Sequence, residues 1–119
     1  MVILLPVTYE NPMANAPNQL FKTLSDPTRR AIFEQLIRDG EQNVKTLTVS
    51  AGISQPAVSK HLSILKQAGL VQERPQGRAV HYSAHPAGLA PLEDWLKRYG
   101  AFWKERFERL EQVLEGMDE

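Results

Sequence analysis

Ile53-Ser54-Gln55-Pro56-Ala57-Val58-Ser59-Lys60-His61-Leu62-Ser63-Ile64-Leu65-Lys66-Gln67-Ala68-Gly69-Leu70-Val71 carries both ends of a helix and two faces of different chemistry. Ser54 suits the N-cap, where its hydroxyl can take a free backbone N–H of the first turn, and Pro56 falls in that turn, where a missing N–H costs nothing. Gly69 suits the left-handed position just past a helix end, and Leu70 can then close an apolar contact onto the last turn. The spacing therefore predicts a helix over 54–68. Val58, Leu62 and Leu65 stand at i, i+4 and i+7 and form one apolar stripe that must be buried. The opposite face carries Gln55, Ser59, Lys60, Ser63 and Lys66, with no acidic residue among them. A helix entering the major groove N-terminus first offers amides and hydroxyls to base edges, while lysines neutralise flanking phosphates. Taken alone, the same face also fits a solvated surface helix.

Upstream, Val44, Leu47 and Ala51 space a short helix before Gly52, and Ile53 packs the turn, so the two helices make a helix-turn-helix. Ser25-Asp26-Pro27 is a further helix start, with Asp26 as N-cap and Pro27 at the first helical position. Ile32, Phe33, Leu36 and Ile37 supply the buried face of that helix, Asp39-Gly40 ends it, and Arg29 and Arg30 are expected on its exposed side. A short first helix over 18–24 gains an apolar face from Leu20, Phe21 and Leu24. Residues 1–17 contain Pro6, Pro12 and Pro17 with Asn11 and Asn15, a composition that favours turns and predicts a flexible arm.

Downstream of Gly69 the periodicity changes to two. Val71 and Glu73, then Val80 and Tyr82, alternate with Gln72, Arg74, Ala79 and His81 around the turn chemistry of Pro75-Gln76-Gly77, which predicts a two-stranded wing over 71–83. Residues 89–115 read as one long helix with more aromatic and aliphatic side chains than a single intramolecular seam can use. One face can cover the core and the adjoining face can meet a second copy, as aromatic-rich homodimer interfaces do. Leu92, Trp95, Leu96, Tyr99, Phe102, Trp103 and Leu110 are the expected dimerisation residues. Gly100 interrupts this helix and permits close packing or a slight bend. A helix wrapped wholly on its own domain, and an effector pocket among Trp95, Tyr99 and Trp103, are the competing readings.

Ser54-Gln55-Pro56-Ala57-Val58-Ser59-Lys60-His61-Leu62 followed by Leu65-Lys66-Gln67-Ala68-Gly69-Leu70-Val71 resembles the recognition-helix signature of the ArsR-type (ArsR/SmtB-like) winged-helix repressors, and residues 20–36 are similar to that family's opening helices. The resemblance covers most of the chain from Asn18 onward. It implies a mainly α fold with a small β-hairpin, a winged helix-turn-helix over 18–88 and a C-terminal dimerisation helix over 89–119. It also implies phosphate contact by Arg74 and Arg78 near the wing tip and makes such contact reasonable for Arg29 or Arg30. Against the family pattern, Thr46 and Thr48 are poor helix formers in the scaffold helix.

Composition narrows the function classes. The 119 residues suit one small domain, which gains from a partner subunit. With no cysteine, disulfides and thiolate chemistry are excluded, including the thiolate metal motif of many members of the family it resembles. Formal net charge is zero, but residues 22–78 hold nine basic against five acidic side chains, whereas residues 86–119 hold five against eight. The apolar residues 1–7 are too short to span a membrane and lack a signal peptide's basic start, so a soluble cytoplasmic protein is expected. Ser59 and His61 project to different helix faces and no Gly-rich phosphate loop occurs, so no enzyme is indicated.

The expected function is a homodimeric, sequence-specific regulator of double-stranded DNA, a repressor reading a two-fold symmetric operator. Gln55 and Ser59 are assigned to base edges with Ser63 behind them, and Ser54, Lys60 and Arg78 to phosphates, with Pro56 and Arg74 completing the surface. No cofactor and no metal site is expected, and an effector of unknown chemistry is left open. The residues also leave open a winged-helix protein-interaction module, and a metal-responsive repressor in which His81 and His85 form a loose site with a carboxylate; His61 reads as a packing residue.

Overall fold

Three helix starts in this chain are set by short polar side chains. Asp26 Oδ1 accepts from the Arg29 N–H at 3.0 Å, Asn43 Oδ1 from Thr46 N–H at 2.8 Å, and Ser54 Oγ from Ala57 N–H at 3.3 Å. Each satisfies a donor that the first turn leaves open. The structure, a computed structural model, describes residues 12–117. In chain order these are α1 (Pro12–Leu24), α2 (Pro27–Asp39), β1 (Gln42–Asn43), α3 (Val44–Ala51), α4 (Gln55–Gln67), β2 (Val71–Gln76), β3 (Ala79–Ala84), a 3-10 turn (Pro86–Leu89) and α5 (Ala90–Met117).

The core forms around α4. Val58, Leu62 and Leu65 are fully buried, as the stripe requires, together with Ile32, Phe33 and Leu36 of α2 and Leu47 of α3. Leu70 and Val71 close the same cluster from the far end of α4, and Leu20 closes it from α1. At that end Gly69 takes φ +79°, Leu70 N–H donates to Leu65 O and Gly69 N–H to Lys66 O, both at 3.0 Å. This closure satisfies the last carbonyls and turns Leu70 inward. Ile37, expected in the buried face of α2, is instead 49% exposed, because Leu36 and Phe33 already fill the side of the helix that meets α4.

Three boundaries differ from the sequence reading. The helix expected over 18–24 starts at Pro12 and carries Pro17 within it. A single proline removes one backbone bond, and burial of Leu20 together with packing on α5 holds the helix despite that loss. The rest of the expected arm, residues 1–11, lies outside the described residues. The wing is part of a three-stranded antiparallel sheet of order β1-β3-β2, with Gln42 opposite Tyr82 and Asn43 opposite His81. Two residues are too few for a periodic signal, which is why β1 was invisible. Finally, β2 continues through Pro75, paired with Val80, so the turn is Gly77-Arg78 and not Pro75-Gln76-Gly77. Proline is tolerated there because β2 is an edge strand.

Beyond the wing, His85 N–H donates to Leu70 O at 2.7 Å, and the following turn packs so tightly that a Cβ at Gly88 would lie 2.1 Å from Gly69 O. The end of α4 thus sets where α5 begins. α5 is 28 residues long, roughly 42 Å at about 1.5 Å per residue, and runs through Gly100 without a break. Leu92 packs on the core and Trp95 meets Phe21 of α1 edge-on at 5.0 Å between centroids. Past Trp95 every described residue of α5 is exposed.

Leu62→Ala is expected to lower the unfolding free energy by about 2–5 kcal/mol, as a buried leucine truncated to a partly relaxed cavity does. Gly88→Ala should also destabilise, through its clash with the Gly69 carbonyl, whereas Ile37→Ala should change little. Urea unfolding at fixed protein concentration ranks the three, and an undisturbed Leu62→Ala would place the core elsewhere.

Candidate nucleic-acid interface

With one face of α4 locked into the core, the other is presented outward by default. Gln55, Pro56, Ser59, Lys60, Ser63 and Lys66 are all exposed, and so is the capping residue Ser54. Ser54 uses its oxygen on Ala57 N–H, which leaves the hydroxyl proton able to donate outward. His61 sits at the edge of the stripe, half-buried, with Nδ1 enclosed and without a partner among the described residues.

The cations of this surface differ in their freedom. Among the described residues no carboxylate pairs with Lys60 or Arg78. Lys66 is tied to the wing, since its Nζ donates to Glu73 Oε1. The lysine holds the Glu73 carboxyl below its ordinary range, chiefly through their hydrogen bond. Tyr82 in turn is raised, by burial first and then by the Glu73 charge. Arg74 is held by a fork contact with Glu41: Nε donates to Oε2 at 3.2 Å and Nη2 to Oε1, with Gln76 Oε1 a third acceptor at 3.2 Å. That contact holds Glu41 low and Arg74 high, in each case chiefly through the shared hydrogen bonds.

Arg29 and Arg30 do not project freely from the first turns of α2. Arg29 Nη1 donates to Thr23 O at 3.0 Å and Arg30 Nη1 to Leu24 O at 2.9 Å. They cap the last carbonyls of α1 and staple it to α2, a use of cations that the end of a helix favours. These bonds use one nitrogen of each guanidinium, and Arg30 remains exposed.

Two acidic residues to which the sequence reading gave no role at the interface, Glu41 and Glu73, therefore hold two of the basic ones. Glu73 lies seven residues from Lys66, but Glu41 lies 33 from Arg74, and only the sheet register brings that pair together. Gln35 belongs to the same support: its Nε2 donates to Gln42 Oε1 at 2.8 Å and to Ser50 Oγ at 3.1 Å, fixing β1 against α2 and α3. Among the described residues no three His, Asp or Glu side chains converge as a metal site. His85 Nδ1 instead faces Gln72 Nε2 at 3.4 Å.

On α5 the expected dimerisation residues divide. Leu92 and Trp95 are half-buried on their own domain, while Leu96, Tyr99, Phe102, Trp103 and Leu110 are exposed. The apolar face continues through Phe107, Val113, Leu114 and Met117. Leu96, Trp103, Leu110 and Met117 recur at seven-residue steps, the period that keeps one seam against a second helix. Trp95 stacks near Tyr99 at 4.8 Å, and the Arg106 guanidinium lies 4.2 Å over Phe102.

Comparison with known proteins bears on this geometry. The family model described as "Bacterial regulatory protein, arsR family" matches residues 26–73. The chain is 34% identical over 82 residues to the transcriptional repressor SdpR of Bacillus subtilis, covering 69% of this chain and 90% of that one. It is 39% identical over 100 residues to the HTH-type transcriptional regulator Rv2034 of Mycobacterium tuberculosis, covering 84% and 90%. Among solved structures, an ArsR-like transcriptional regulator from Rhodococcus sp. RHA1 superposes with a TM-score of 0.68 at 32% identity, covering 87% of this chain and 96% of that one.

The lowered carboxylates give a signed pH dependence. Asp26 is held down chiefly by the Arg29 N–H, Glu41 by Arg74 and Glu73 by Lys66. Their contribution to stability is complete above the ordinary values of 3.8 for Asp and 4.5 for Glu, and is lost as pH falls through the lower folded-state values. Urea titrations from about pH 6 to about pH 3 should show a falling acid limb that flattens in Asp26→Asn/Glu41→Gln/Glu73→Gln. An unchanged acid limb in the triple variant would show that these contacts do not control it.

Proposed function

The chain belongs to the ArsR family of bacterial regulatory proteins and is a DNA-binding transcriptional regulator of the repressor kind; from that premise we propose that it acts in the cytoplasm as a homodimer on a two-fold symmetric operator. In this reading residues 18–88 bind DNA and residues 89–119 pair two copies. The observation that carries it is the exposed face of α4, polar or cationic apart from Pro56 and free of carboxylates, held outward by the fully buried stripe behind it.

Gln55 and Ser59, nearest the N-terminal end of α4, reach base edges, with Ser63 one turn further back; Pro56 adds an apolar edge. Ser54, Lys60 and Arg78 hold phosphates, and such contacts fix register without reading sequence. Arg74 joins them once released from Glu41. The exposed seam of α5 supports the dimer, because an aromatic and aliphatic stripe of this length is a costly surface to leave in water. Pairing through α5 would set two α4 helices about one turn of DNA apart, roughly 34 Å. A signal that alters the angle between copies would then change affinity for the operator, since it favours one of two arrangements.

Selection of bound sequences from random duplex DNA at moderate salt should enrich a two-fold symmetric site. Lys60→Glu with Arg78→Glu should weaken binding at least about tenfold and flatten the dependence of log K on log salt by about 1.8, the value for two phosphate contacts. Trp103→Glu with Leu110→Glu should shift the protein from dimer to monomer by light scattering while leaving its circular dichroism in place. No enrichment of any site would overturn the operator reading and favour a protein-interaction module. A dimer that survives the α5 changes would move the interface elsewhere.

A further inference from the structure

The Glu41–Arg74 pair occupies an edge of the guanidinium that a bound phosphate would also use. The edge of Arg74 made by Nε and Nη2 is already filled by the two oxygens of Glu41, and that planar edge is one of those with which a guanidinium grips phosphate in two-point fashion. The remaining Nη2 hydrogen is directed to Gln76 Oε1. Glu41 reaches this place through the sheet. Asn43, His81 and Arg74 are in register across β1, β3 and β2, and Glu41 stands at the bend just before β1, from where its carboxylate meets Arg74. Arg78, at the turn beyond, has no such partner among the described residues.

We propose that Glu41 is a specificity-determining residue, one that keeps Arg74 off the phosphates of non-operator DNA and yields it only when the wing is seated on the operator. The inference rests on the DNA-binding reading above. Both side chains are substantially exposed, 53% for Arg74 and 36% for Glu41, so water and salt weaken the pair and it exchanges readily. On random DNA, held loosely by long-range attraction, no phosphate is presented in fixed geometry and the preformed fork with Glu41 wins. On a fitted site a phosphate stands against the wing, and the guanidinium transfers from carboxylate to phosphate. Arg78 and Lys60 supply the attraction common to every sequence, while Arg74 adds its contact only where the fit is close.

The test is anisotropy titration of a random-sequence duplex with the full-length wild type, Glu41→Gln, Arg74→Gln and the double variant, across about 50–200 mM salt. Glu41→Gln should bind random DNA about two- to fivefold more tightly. Its slope of log K on log salt should steepen by about 0.9, as one added phosphate contact requires. In the Arg74→Gln background the same substitution should leave the slope unchanged. Affinity and slope in Glu41→Gln equal to wild type would overturn the proposal, and so would a steeper slope that persists without Arg74. A wild type that binds no duplex at all would remove the DNA-binding reading together with this one, which separates the two failures. Circular dichroism of each variant checks that the exposed substitutions leave the fold intact.

Discussion

The burial of three side chains on α4 constrains most of what this molecule can do. Val58, Leu62 and Leu65 are fully enclosed by α2, α3 and the returning Leu70, and a helix pinned along one side cannot rotate about its axis. Its opposite side is then fixed as the protein's outer surface. Gln55, Ser59, Lys60 and Ser63 need no contacts of their own to be positioned; the core positions them. The close-packed interior supplies that rigidity, since a well-filled core resists even small displacements.

The wing is oriented by a different kind of force. Only a few apolar side chains hold its base, with Val71 buried and Tyr82 and Ala84 packed partly against the core. Further out, charged pairs take over: Lys66 with Glu73 connects it to α4, and Arg74 with Glu41 connects it to the segment after α2. Exposed ion pairs contribute little to stability singly, and they are screened by salt. The α4 surface is therefore rigid, whereas the wing is held by contacts that phosphates can compete with. A rigid helix beside an exchangeable wing fits the proposed reading, in which many DNA sequences are held weakly and one tightly.

α5 shows what an incomplete hydrophobic surface looks like in a single chain. Its first turns are committed to the domain through Leu92 and through Trp95 against Phe21, but Trp103 and Leu110 remain more than half exposed. The chain's acidic excess is concentrated in this C-terminal segment, away from the basic α4 and wing. In the proposed reading such separation keeps like charges away from DNA, and it leaves the α5 seam flanked by charge.

The amino-acid sequence alone determined what depends on neighbours a few residues apart. The Asp26-Pro27 and Ser54 helix starts, the 58-62-65 stripe, the closure at Gly69 and the acid-free face of α4 are all local signals, because capping and helical periodicity act within one or two turns. Tertiary structure decided what depends on which distant segments meet. It joined Gln42 and Asn43 to the wing, spent Arg29 and Arg30 on the end of α1, left Ile37 in water, and placed Glu41 against Arg74 across 33 residues of chain. No periodicity encodes those pairings, since two-residue strands and long-range ion pairs leave no repeating trace in the chain; only strand register and helix packing bring their partners within reach.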